Sequence, residues 1–203
     1  MRRAAGLGLL LLLACRPAPS PPPVADPAPP VPTTEPPPAV AEEPEWREAK
    51  LDPEMQRRFD ELWKEARKLA KKGDYAASRD RWQELLALRL EHDPKNRLEL
   101  GKVEARLADA LLLLHENEAA QAQAQAALKH FEGLEAPPRE HALAVGCLGL
   151  VALRAKDYET AQTHFERELA IAVEAHGDSD ARTAAPRIHL GQLHFAQKNY
   201  APA

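Results

Sequence analysis

The sequence predicts an all-α fold for the greater part of this chain. Residues 45–203 are rich in Ala, Leu, Glu, Gln, Lys and Arg, which favour helices, while Val, Ile and Thr are scarce. Apolar residues recur at intervals of three and four rather than two, as on a helix with one buried face. Capping and helix-stopping residues separate these segments at Asp52-Pro53, Gly73-Asp74, His92-Asp93-Pro94, Gly133, Pro137-Pro138, Asp157 and Gly177-Asp178. We therefore expect helices of about 15 to 20 residues joined by short turns.

The first element, residues 1–14, has the pattern of a bacterial export signal. Arg2 and Arg3 precede an apolar run over residues 4–14. As a helix this run would rise only about 16 Å, against a hydrocarbon core of about 30 Å, so it is too short to span a bilayer. The segment therefore predicts an exported protein.

Cys15 follows this signal directly, after Leu12, Leu13 and Ala14. This quartet resembles the lipobox of bacterial lipoproteins, and that resemblance implies that Cys15 is acylated and becomes the mature N-terminus. Two or three acyl chains hold a protein on a membrane far more firmly than one chain does. The alternative is an ordinary signal peptide with an incidental cysteine.

The second element, residues 15–44, predicts a lipidated cysteine followed by a disordered linker. Thirteen of the twenty-nine residues in 16–44 are proline, and no periodic apolar face is present. Such a chain cannot build a core, and its prolines favour an extended conformation of about 3.1 Å per residue. We interpret it as a tether, in preference to a proline-rich ligand for a recognition domain.

The third element, residues 45–203, is long enough for one domain with a sizeable core. The chain carries a net charge of −4 and has no basic stripe interleaved with aromatic residues, so the sequence argues against nucleic-acid binding. Once Cys15 is set aside, Cys147 is the remaining cysteine, which excludes an intrachain disulfide in this domain.

An internal repeat runs through this domain. The phrase "KGDYAASRDRWQELL" from Lys72 is echoed by "AKDYETAQTHFEREL" from Ala155, and "QKNYAPA" from Gln197 begins it again. With Asn117 in the place of the tyrosine, the steps between equivalent residues are 42, 41 and 42. The repeat predicts four units, at about 59–100, 101–141, 142–183 and an incomplete 184–203.

These units resemble tetratricopeptide repeats, in the 42-residue form of kinesin light chains. The resemblance rests on small and aromatic residues at set positions, namely Leu148-Gly149, Tyr158, Ala161 and Phe165 in the third unit, Tyr75, Ser78 and Trp82 in the first, Leu107-Ala108 and Ala120 in the second, and Leu190-Gly191 and Tyr200 in the fourth. It implies an α-solenoid of helical hairpins, with an irregular helical bundle as the alternative.

No catalytic or metal-binding motif accompanies the repeat. The sequence lacks G-x-S-x-G, a glycine-rich phosphate loop, H-E-x-x-H and C-x-x-C. His189 and His194 lie about 140° apart around a helix, which is poor placement for one metal ion. His164 and Glu168 share a helix face, but such a pair is usually a solvated contact. We expect neither catalysis nor a cofactor.

The resemblance places a partner-binding groove on the first helix of each unit. Transferred residue by residue, its positions are Lys64, Arg67, Lys71, Arg106, Asp109, Cys147, Leu150, Arg154, His189 and Gln192. The first four of these are basic, so an acidic peptide or protein segment is the expected guest. The alternative is that these charges only solvate a helix face.

Taken together, these features predict an envelope lipoprotein that binds other proteins. We expect it on a bacterial membrane, with the outer membrane favoured and the repeat domain facing the periplasm or the cell exterior. Its organisation resembles that of repeat lipoproteins that assist assembly of envelope machines. The alternative is a structural spacer between membrane and cell wall, in which the tether is the working part.

The last unit predicts self-association. A helix is expected over about 180–197, and the sequence contains only the start of its hairpin partner. We therefore expect its apolar residues to be partly uncovered and to mediate association between copies, namely Ile188, Leu190, Leu193 and Phe195. The alternatives are coverage of these residues by a partner and a sequence cut short relative to a longer array of repeats.

Overall fold

The computed structural model describes residues 51–199, and seven α-helices account for most of that range. They are α1 (Pro53–Lys71), α2 (Tyr75–His92), α3 (Arg97–Leu113), α4 (Asn117–Phe131), α5 (Pro138–Arg154), α6 (Tyr158–His176) and α7 (Ala184–Asn199), with a 3-10 turn at Ala181–Thr183. No β-strand occurs among the described residues. The all-α prediction is confirmed.

Several predictions lie outside the described residues. They are the export signal at 1–14, the lipidated cysteine and linker at 15–44, and the start of the last helix at 200–203. These three stay predictions.

The turns inside the hairpins repeat one backbone geometry. Gly73, His115 and Lys156 each adopt a positive φ, of 81°, 63° and 64°. In each turn the next residue donates its N–H to the carbonyl five positions earlier, at 3.1, 3.0 and 2.9 Å. The turns recur at steps of 42 and 41 residues, which matches the spacing in the sequence. A left-handed residue ends the first helix of each pair and reverses the chain.

Aspartate side chains start the second helix of two hairpins. Asp74 accepts a hydrogen bond from the N–H of Ala77, and Asp157 accepts one from Thr160, both at 3.1 Å. These bonds satisfy backbone donors that lack a partner within the helix. In the middle hairpin Glu116 occupies the same place and makes no such bond.

Small residues let the two helices of a hairpin approach closely. Gly149 of α5 lies under the fully buried ring of Phe165 of α6, where an added Cβ would come within 2.4 Å of the ring. In the first hairpin the hydroxyl of Ser78 donates to the carbonyl of Ala66, at 2.9 Å. Consecutive helices pack along the chain, and α3 also packs against α5. The described residues therefore form an α-solenoid of stacked hairpins.

The last helix differs in part from its prediction. It starts at Ala184, after the 3-10 turn, in which Asp180 accepts a hydrogen bond from the N–H of Arg182. Leu193 is fully buried in a cluster with Phe165, so the expectation that it is partly uncovered is wrong. Ile188 and Phe195 are 58% and 69% exposed. Self-association through this end stays a prediction.

Candidate functional site

Two cavities lie side by side along α3. The first, of about 130 Å³, lies between α1, α2 and α3 and is here called the α1–α3 cavity. The second, of about 510 Å³, lies between α3, α5, α6 and α7 and is called the α3–α7 cavity. Arg106, Asp109 and Arg139 line both. Because the cavities share these three residues, one extended segment could occupy both.

The α1–α3 cavity has basic and aromatic walls. Arg67 and Lys71 of α1 line it, together with Tyr75 and Trp82 of α2. Trp82 is buried and packs edge-on against Trp63, with ring centroids 4.9 Å apart. This contact fixes the orientation of the Trp82 ring that lines the cavity.

Next to this cavity, α1 presents a row of cations, called here the α1 basic surface. It surrounds a depression of about 380 Å³ beside Trp63, and consists of Lys64, Arg67, Lys68, Lys71 and Lys72. All five side chains are exposed, and none forms an ion pair within residues 51–199. The first four are spaced at i, i+3, i+4 and i+7, which brings them onto one face of α1, and Lys72 follows directly after the helix. These cations are therefore available to an anionic partner.

Arg106, predicted as a groove residue, has an internal partner. Its guanidinium forms an ion pair with Glu140 of α5, and the two side chains are only 14% and 10% exposed. Such a pair joins α3 to α5, and removing one partner would leave the other charge buried. Arg106 therefore lines the cavities, but its charge stabilises the packing of α3 against α5.

Arg154 and His189 are also occupied within the protein. Arg154 donates hydrogen bonds to the carbonyl of Leu112, at 2.8 Å, and to the side chain of Asn117, at 2.7 Å. His189 Nδ1 lies 2.8 Å from Glu168, which is buried. These contacts hold α5 to the preceding hairpin and α7 to α6, so neither side chain is free for a partner.

The remaining predicted positions do not line a described cavity. Leu150 packs against the core, and Gln192 is exposed on α7. Cys147 is buried, and burial raises the pKa of its thiol well above the ordinary value. A neutral, enclosed thiol is a packing residue rather than a nucleophile.

Asp109 is the one acidic residue among the predicted groove positions, and its carboxylate has no hydrogen-bond or ion-pair partner within residues 51–199. It lines both cavities. Burial raises the pKa of Asp109, while Arg106 and His189 act in the opposite direction. A carboxylate held this way is ready to accept a donor from a ligand.

Sequence reasoning missed Arg139, which lines both cavities. It is exposed at the start of α5, directly after Pro138, and forms no ion pair among the described residues. The transferred positions came from the middle of the first helix of each unit, whereas the first turn of α5 also reaches the cavities. No local pattern in the sequence marks Arg139, because whether an arginine after a helix-starting proline is unpaired depends on the packing of distant helices.

Neither a metal site nor a membrane span accompanies these cavities in residues 51–199. No group of three or more His, Cys, Asp or Glu side chains there is arranged to hold a metal ion. The helices described are either too short or too polar to cross a bilayer.

Comparison with known proteins supports the repeat interpretation. Residues 140–203 match the tetratricopeptide repeat family. The chain is similar to the crystal structure of the Sgt2 tetratricopeptide repeat domain from Aspergillus fumigatus, with a TM-score of 0.50 and 21% identity over 75% of this chain and 87% of that one. No curated protein matches the chain. At this identity the likeness shows the fold alone, an α-solenoid of tetratricopeptide-like hairpins.

Proposed function

We propose that this protein is a non-catalytic scaffold that holds an acidic segment of a partner protein. The observation that carries the proposal is the set of uncompensated cations at the α1–α3 cavity, Arg67, Lys71 and Arg139. The α1 basic surface extends this set along α1. The protein has an α-solenoid fold, and α-solenoids commonly bind extended protein segments on such surfaces.

The energetics of these cations favour a multi-contact interaction. A single exposed ion pair contributes only about 0.2 to 1 kcal/mol, so one lysine would not select a partner. Several cations along one surface raise the association rate for an acidic segment and disfavour basic ones. Because exposed charges are screened by salt, binding should weaken as ionic strength rises.

The proposal includes a membrane anchor at Cys15. Its support is the short apolar signal, the lipobox-like residues before Cys15 and the proline-rich residues 16–44. The anchor would place the repeat domain in the bacterial envelope, where a scaffold could serve assembly of a membrane machine. A spacer between membrane and cell wall is the competing function, and shortening the tether separates the two: a scaffold tolerates moderate loss, whereas a spacer does not.

Charge reversal on α1 tests the scaffold. Replacing both Arg67 and Lys71 with glutamate should weaken binding of a fluorescent glutamate-rich peptide about ten-fold, because two attractions become repulsions. Affinity is measured by fluorescence anisotropy at several salt concentrations. Helical content should stay unchanged, since both side chains are exposed and unpaired.

A matched control uses two cations elsewhere. Lys95 and Lys129 are exposed and line none of the three cavities described above. Reversing both changes the net charge by the same amount. If both double variants lose affinity alike, the effect is one of net charge. If neither loses affinity and salt has no influence, the α1 cations only solvate the helix.

Replacing Cys15 with serine tests the anchor. The variant should be released from the membrane fraction or remain uncleaved, because no other part of the export signal can span a bilayer. Fractionation and intact mass measurement report the result. A wild-type mature N-terminus elsewhere, without acyl mass, would refute the anchor.

A further inference from the structure

The α3–α7 cavity is lined by the carboxylate of Asp109 and by several apolar side chains. Asp109 reaches it from α3, and its walls include Ala142 and Leu143 of α5, Ala172 of α6 and Ala185 of α7. Its volume of about 510 Å³ falls in the range of cavities that enclose a ligand group. None of its lining residues is Phe, Tyr or Trp.

Most other charged groups of this cavity are already paired. The pairs are Arg106 with Glu140, Glu168 with His189, and Arg182 with Asp180. Arg139 forms no ion pair where the two cavities meet. Asp109 has neither a hydrogen bond nor an ion pair among the described residues, and the charges of Arg106 and His189 act on it only from a distance. The α3–α7 cavity therefore offers a ligand two charged groups without an ion-pair partner, the carboxylate of Asp109 and the guanidinium of Arg139 at its edge.

We propose that the α3–α7 cavity is a lysine subsite, in which a lysine of the bound segment places its ammonium group on Asp109. Alanine, leucine and proline walls suit the four-methylene stem of lysine, which buries apolar surface while its charge is paired. Arginine fits less well, because its planar guanidinium is best matched by a bidentate acceptor or an aromatic face.

This inference rests on the proposed peptide-binding function. It adds the order in which the acidic residues and the lysine lie along the bound segment. Acidic residues lie on the α1 basic surface and at Arg139, and the lysine lies beyond them towards α7. The cavities meet at Arg106, Asp109 and Arg139, so one continuous segment passes over both. The partner segment is therefore an acidic run with a lysine at the end that faces α7.

The experiment uses the full chain and two pairs of probes. The first pair is Nα-acetyl-lysine N-methylamide, which keeps its ε-ammonium group, and its norleucine analogue, which lacks that group. Binding of both is followed by NMR of the backbone amides of Ala142 and Ala185. The second pair is a glutamate-rich peptide ending in lysine or in norleucine, followed by fluorescence anisotropy. In each pair the lysine probe should bind about ten-fold more tightly, as expected for a charge-assisted hydrogen bond.

Two variants locate the effect. Asp109→Asn should abolish the preference for lysine and should not unfold the protein, because burial already disfavours the charged carboxylate, as its raised pKa shows. Ala185→Leu, at an exposed position on the cavity wall, should block the lysine probe without removing charge. Asp60→Asn, an exposed acid on α1 outside these cavities, is the control and should retain the preference.

The outcomes separate this inference from the proposed function. Equal affinity for lysine and norleucine in both pairs overturns the subsite, and the proposed function stands if the glutamate-rich peptides still bind. A lysine preference that survives Asp109→Asn also overturns it. If the small lysine probe binds at Asp109 while neither peptide binds, the subsite stands and the acidic-partner function fails.

Discussion

Replacing Gly149 with alanine is expected to lower the free energy of unfolding by about 2 kcal/mol, as overpacked core positions do. The added Cβ would lie 2.4 and 2.6 Å from two ring carbons of Phe165 and 3.2 Å from the Cβ of His164. The ring of Phe165 is fully buried and cannot turn away, so α5 and α6 must separate. This loss exceeds the gain of up to about 1 kcal/mol that alanine brings to a helix.

Gly191 is the matched control, because it holds the same repeat position in α7. An added Cβ there meets nothing within 4 Å. Gly191→Ala should therefore stabilise the protein by about 0.5 to 1 kcal/mol, through the preference of alanine for helix. Denaturant unfolding of the full chain followed by circular dichroism measures both. Equal effects at the two positions would mean that the α5–α6 contact is looser than described.

Reversing the charge of Arg106 is expected to destabilise the fold by about 3 to 5 kcal/mol, the cost of breaking a buried ion pair. Arg106→Glu would leave Glu140 without its partner and set two carboxylates against each other in a site that is mostly shielded from water. Thermal unfolding should report a large drop in Tm. A loss of partner binding by this variant would not identify Arg106 as a partner-binding cation, because the domain itself is damaged.

Arg139→Glu provides the contrast within the same cavities. Arg139 is exposed and unpaired among the described residues, and it lies in the first turn of α5, where an acidic residue suits the helix dipole. Stability should be unchanged or slightly raised, while affinity for the glutamate-rich peptide should fall. Should Arg106→Glu leave Tm intact, the ion pair with Glu140 contributes little, and Arg106 returns to the set of partner-binding cations.

Much of the fold could be predicted because its signals are local. The sequence predicts helix breaks at Asp74 and Asp157, and each of these side chains caps the helix that follows it. The spacing of the sequence repeat is also the spacing of the hairpin turns, which recur at steps of 42 and 41 residues. The 3-10 turn before α7 was not foreseen, because it depends on Asp180 and Thr183 closing a short loop by their own hydrogen bonds.

The candidate site was predicted only in part. Arg67, Lys71, Arg106 and Asp109, which the resemblance assigns to a groove, line the α1–α3 cavity, and their role in partner binding stays a prediction. Which of their charges is free depends on residues far away in the chain, such as Glu140 for Arg106. Arg139 and the α6 and α7 walls of the second cavity join the site through stacking of hairpins, and no local pattern marks them.

The sequence by itself determined the all-α class, the period of the repeat and the places where helices start and stop. These follow from helix propensity, apolar spacing and capping, which act within a few residues of each other. Tertiary structure decided which charges are compensated, which glycine is covered and where the cavities lie. Gly149 and Gly191 hold the same repeat position, yet only Gly149 lies under an aromatic ring, because packing depends on the neighbouring helix rather than on the residue.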